Sequence, residues 1–152
     1  MTLAQERLAL LYERDRARWL EATLQRLRDR DYDNIDWDNL LEELDDMARS
    51  DRRAIKNNTV VILVHLLKWQ YQPEMRTGSW AGSITEHRTR ILALLDDSPS
   101  LRNALPDAVE WAYPRAKRQA SDETGLRPDR FPETCSYKPE DVYDDDFWPD
   151  AV

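Results

Sequence analysis

Ten positions of one stretch constrain this chain more than any other feature. Starting at Trp37 and moving by alternating fours and threes, the sequence gives Leu41, Leu44, Ala48, Asp51, Ile55, Asn58, Ile62, His65 and Trp69. That spacing returns side chains to one stripe of an α-helix, whereas a strand alternates its faces every second residue. Apolar residues recur at the same period before and after it, as Leu20, Leu24 and Leu27, then Trp80, Ile84, His87, Ile91 and Leu94, then Leu101, Leu105, Ala108 and Ala112. With only three glycines in 152 residues, repeated tight turns and a phosphate-cradling glycine loop are disfavoured. The chain reads as all-α.

Punctuation then divides the pattern into four main helices. The first is expected from Leu3 to Arg30, followed by the polar link DYDNID. Asp36 is a natural N-cap for the second, which runs to about Tyr71 and stops at Pro73. A third helix spans about Trp80 to Asp97. Ser98 and Pro99 open a fourth, which ends at Thr124 with Gly125 in the closing position. Pro106 and Pro114 lie inside it, so a kink or a split is expected. The predicted architecture is a mostly up-and-down four-helix bundle over residues 1–125, in a single domain covering 1–152.

Residues 126–152 differ in kind, mixing prolines, aromatics and acids. Free disordered tails are poor in aromatic residues, so Phe131, Tyr137, Phe147 and Trp148 are expected to anchor this segment on the helices as a strap, with a short helical turn beginning at Pro139.

Charge narrows the partners. A net charge of −8 opposes general binding to polyphosphates, because such affinity comes from cationic side chains displacing counterions. The basic run RAKR at 115–118 is read as a helix face paired with acids rather than a nucleic-acid surface. Cys135 is the only cysteine, which rules out an internal disulfide and a CxxC metal knuckle. Charged residues Arg7, Glu13, Arg14 and Asp15 interrupt the early leucines, unlike a secretory signal, and the apolar run from Val60 to Leu67 is too short to span a bilayer. These features predict a soluble, cytoplasmic protein with no membrane partner.

Ordered words in the chain carry a resemblance: DWDNLLEELDDM at 36–47, HLLKWQYQPE at 65–74, GSW at 78–80, DSPSLR at 97–102, ETGL at 123–126, FPETC at 131–135 and DFWP at 146–149. The chain resembles the bacterial family catalogued as domain of unknown function twenty-nine. What that resemblance implies is a small all-helical bacterial protein; it supplies no catalytic residues.

Candidate sites must therefore come from the helices. Asp51, Asn58 and His65 recur at seven-residue intervals along the second helix, and a polar side chain on a packed seam must find a hydrogen bond or water. One reading is a partnered polar ladder that fixes helix register. The other joins His65 to His87: in an antiparallel hairpin the two would lie at similar depth, where paired imidazoles can bind a metal or shuttle a proton. The fourth helix brings Asp107 or Glu110 to that level, but its seam of Leu101, Leu105, Ala108 and Ala112 turns both acids off-axis, and Ile62 and Ile84 stand where a di-iron bundle carries glutamates. No metal or other cofactor is expected. The favoured role is a protein-binding or regulatory module with a basic protein as partner; the alternative is a metal-dependent or acid-base enzyme using His65 and His87.

Overall fold

The computed structural model describes residues 1–152, all of its regular structure being helical. The α-helices are α1 (Leu3–Arg14), α2 (Arg16–Arg28), α3 (Trp37–Tyr71), α4 (Gly78–Asp97), α5 (Leu105–Thr124) and α6 (Pro139–Val142). The chain divides into two compact units, Met1–Arg49 and Ser50–Val152.

The N-terminal unit corrects the first sequence expectation. Instead of one helix from Leu3 to Arg30, the chain breaks at Asp15, whose backbone leaves the helical region at φ −152° and ψ 88°. The Asp15 carboxylate accepts from the backbone N–H of Arg18 at 3.1 Å and so caps α2, a local bond that competes with helix continuation. The break lets Tyr12 and Trp19 meet with ring centroids 4.9 Å apart. In an unbroken helix residues seven apart are separated by about 10 Å along the axis. Those two rings and Leu8 form a small core, with Leu11, Ala22 and Leu40 against it. Thr2 and Gln5 close the start of α1 as a reciprocal capping box.

Helix α2 ends two residues before the expected Arg30. Arg30 takes a left-handed conformation, φ 58°, and the N–H of Asp31 returns to the Arg26 carbonyl at 2.9 Å. A glycine is the usual occupant of that position. Asp36 caps α3 as expected, accepting from the Asn39 N–H at 3.4 Å, and its buried carboxylate also receives the Asn39 amide and the Trp19 indole N–H.

The C-terminal unit is built on the remainder of α3, on α4 and on α5. Ile55, Ile62, Leu66, Ile84, Ile91 and Ala112 lie at its centre with no solvent exposure. Each large aliphatic group so buried contributes about 1.5–3 kcal/mol, and trimming Ile62 to alanine would cost about 2–5 kcal/mol. Thr77 caps α4 by accepting from the Trp80 N–H at 3.2 Å. The expected fourth helix is split: Pro99–Ala104 forms a 3-10 turn and α5 follows. Ser98 precedes that turn, but its side chain makes no capping bond. Pro106 sits in the first turn of α5, where its missing N–H costs nothing, while Pro114 is tolerated inside the helix. Gly125 closes α5 at φ 76°.

Two face assignments also change. On α4 the buried positions are Ile84, Arg88, Ile91 and Leu95, so Arg88 and Leu95 replace the expected His87 and Leu94. On α3 the stripe is buried at Ile55 and Ile62 but exposed at Trp37, Leu41 and Leu44. Leu20 and Leu24 of α2 are likewise exposed, because Trp19 and Thr23 turn inward instead.

Candidate functional site

The polar residues of α3 satisfy themselves within the helix. Asn58 donates its amide to the Ala54 carbonyl at 2.7 Å, and His65 Nδ1 lies 2.8 Å from the Val61 carbonyl. Asp51 is half-buried. On α4, His87 repeats the histidine pattern with Nδ1 2.7 Å from the Ser83 carbonyl. Donation to a carbonyl places the proton on Nδ1 and leaves each Nε2 as an acceptor in the neutral ring. Burial pushes the His65 pKa down; the Val61 hydrogen bond opposes this, and Lys68 and His87 add to it. No group of three His, Cys, Asp or Glu side chains is placed to hold a metal ion.

Sequence reasoning missed the side chain that organises the C-terminal extension. Arg88 has no solvent exposure, yet it faces no carboxylate at ion-pair distance. Its guanidinium donates to three main-chain carbonyls of the extension: Nε to Val142 at 2.9 Å, and Nη2 to Phe147 at 3.0 Å and Asp141 at 3.3 Å. Nη1 is buried without a partner. Burial lowers the Arg88 pKa, with Asp145 and Asp144 opposing, and the group stays a cation because arginine titrates far above neutrality. The sequence held one signal for it: the steps that give Ile84, His87, Ile91, Leu94 fit Ile84, Arg88, Ile91, Leu95 equally well.

Aromatic side chains of the extension lie along the same unit. Phe131 meets Tyr71 edge-on at 5.1 Å, Trp148 meets Trp69 at 4.8 Å, and Tyr137 meets Phe147 at 5.9 Å. The buried Tyr137 hydroxyl donates to Gln70 Oε1 at 2.6 Å, and the Tyr143 hydroxyl shares a 2.7 Å hydrogen bond with Thr59. A cleft of about 550 Å³ between α5 and the extension is lined by Val109, Glu110, Tyr113 and Cys135. Burial raises the Cys135 thiol pKa, which opposes the thiolate form a nucleophile needs.

The second feature is an exposed apolar surface. Of the twelve large hydrophobic residues that stand exposed, ten lie between Met1 and Met47. Leu20 and Leu24, four apart, make a stripe on α2; Trp37, Leu41 and Leu44 make another on α3, next to Met47. Scattered exposed leucines are ordinary, but contiguous stripes on neighbouring turns mark interaction surfaces. No helix is long and apolar enough to cross a membrane.

A family model described as Domain of unknown function DUF29 matches residues 11–148. No curated protein and no solved structure matches the chain.

Proposed function

We propose, from the premise that this chain belongs to the Domain of unknown function DUF29 family, that it is a protein-binding module working through Met1–Arg49. The observation that carries this is the concentration of exposed apolar side chains on α2 and the first turns of α3, whereas in Ser50–Val152 only Met75 and Val152 among the large hydrophobics stand exposed. The acids that surround the α3 stripe favour a partner with basic groups, whose association slows as salt rises. The test is affinity capture from host extract with the wild-type chain and with Leu41→Glu/Leu44→Glu. A binding module retains specific proteins at low salt and loses them on that double substitution; capture of the same proteins by both chains overturns the reading.

A second reading rests on the two histidines. Both rings hold a backbone carbonyl through Nδ1, leaving each Nε2 able to accept a proton or to offer its lone pair to a metal ion. No three ligand side chains gather there, so this reading requires that zinc in equilibrium dialysis be retained stoichiometrically by the wild type and lost with His65→Leu. Equal retention by both chains excludes His65 from the site.

A further inference from the structure

Charge narrows what can cover the exposed stripes of Met1–Arg49. Residues 31–48 carry eight acids and no base, whereas residues 1–30 carry seven arginines against five acids. Within the unit only part of this is used: Arg16 pairs with Glu43, Arg18 with Asp15, Arg26 with Asp31 and Arg49 with Asp46. Arg28 is exposed and lies four residues beyond Leu24, continuing the α2 stripe by one turn. Asp38 and Asp45, both exposed, stand three residues before and four after Leu41 on α3. The α2 stripe thus ends in a cation and the α3 stripe is bracketed by carboxylates.

Two apolar stripes of opposite charge on one small unit meet the requirement for self-association. In a two-fold symmetric contact the same surface serves both subunits, so a patch must be complementary to itself. We propose that Met1–Arg49 is a homodimerisation surface, in which the Leu20–Leu24 stripe of each copy lies on the Trp37–Leu41–Leu44 stripe of the other. This rests on the reading above that these stripes are a docking surface, and it names a second copy as the occupant.

The area is consistent with a dimer of moderate affinity. Leu20, Leu24, Trp37, Leu41, Leu44 and Met47 are 41–65% exposed. At roughly 100 Å² each they offer about 600 Å² per copy and about 1,200 Å² in total, the lower end of what specific interfaces bury. Area alone does not set affinity, so the micromolar window is the range to be tested.

Sedimentation velocity of the full chain from about 1 to 100 μM tests this, since a micromolar dimer dissociates across that window. The wild type is expected to shift from monomer to dimer, and Leu41→Glu/Leu44→Glu to stay monomeric with unchanged circular dichroism. Arg28→Glu and Asp45→Arg should each weaken the dimer about tenfold. Mixed in equal amounts they should restore it, because in the mixed dimer one contact pairs the two reversed charges and the other pairs native Arg28 with native Asp45. A wild type that is monomeric at 100 μM, or a mixture no tighter than its components, overturns the proposal. A monomeric wild type whose capture of another protein still depends on Leu41 and Leu44 refutes the dimer while leaving the docking surface intact.

Discussion

Replacing Arg88 by methionine isolates what the guanidinium does, because methionine keeps most of the buried chain and removes every donor. Two of the three carbonyl bonds are short, to Val142 at 2.9 Å and Phe147 at 3.0 Å; the bond to Asp141 at 3.3 Å is weaker. Hydrogen bonds to a charged donor are worth about 1.5–3 kcal/mol each, so the two strong ones give about 3–6 kcal/mol. Removing the unpartnered Nη1 returns about 1–3 kcal/mol of desolvation cost. The net loss should centre on about 2.5 kcal/mol, equivalent to a melting temperature lower by roughly 5–10 °C for a chain of this size. Urea titration followed by tryptophan fluorescence reads the loss, since Trp148 lies 5.6 Å from the guanidinium. Hydrogen exchange at residues 141–148 shows whether the extension opens before the core. Arg88→Lys should recover less than half, because one ammonium lacks the planar fork that reaches carbonyls on two sides. Unchanged melting and unchanged exchange in Arg88→Met would refute the idea that this side chain holds the extension.

Three further outcomes are expected. Burial keeps the folded His65 pKa below its ordinary value of 6.5, so its contribution to stability is complete above pH 6.5 and declines as the pH falls below that value; His65→Leu should flatten the acid side of a stability profile, and parallel profiles would rule this out. Arg30→Gly should raise the urea midpoint by the equivalent of about 0.5–1 kcal/mol by relieving a left-handed non-glycine residue, whereas Arg30→Ala should not. In the Thr59–Tyr143 pair, Tyr143→Phe should cost about 1 kcal/mol, because Thr59 keeps its 2.7 Å bond to the Ile55 carbonyl; Thr59→Val strands the tyrosine hydroxyl and should cost about 1–3 kcal/mol in the same thermal melts.

The helical class and the long α3 were legible because they rest on periodicity and on strong local stops. Pro73 and Gly125 act through backbone geometry that no tertiary context reverses. Asp15 was not legible, since a lone aspartate between arginines looks like a solvated helix face until Tyr12 and Trp19 are seen to meet across it. The face of α4 was ambiguous for a different reason. Two registers fit the same leucines and isoleucines, and residue type favours burying a histidine over an arginine. Only the carbonyls of a segment more than fifty residues away make Arg88 the better inward choice. Exposure of Leu41 and Leu44 was equally hidden, because amphipathic spacing shows that a stripe exists but not whether the chain covers it.

The hydrogen bonds of Arg88 all go to peptide groups of the extension, and the one side chain that meets the guanidinium is Trp148, 5.6 Å away, so the grip is blind to residue type along 141–147. What it does measure is spacing: the carbonyls of Val142 and Phe147 must arrive together around one planar cation. Substitutions at the outward-facing positions between them should therefore drift freely among relatives, while a single insertion or deletion there would bring the wrong carbonyl to the guanidinium. The grip of Arg88 thus constrains the length of chain between Val142 and Phe147 rather than the letters that fill it.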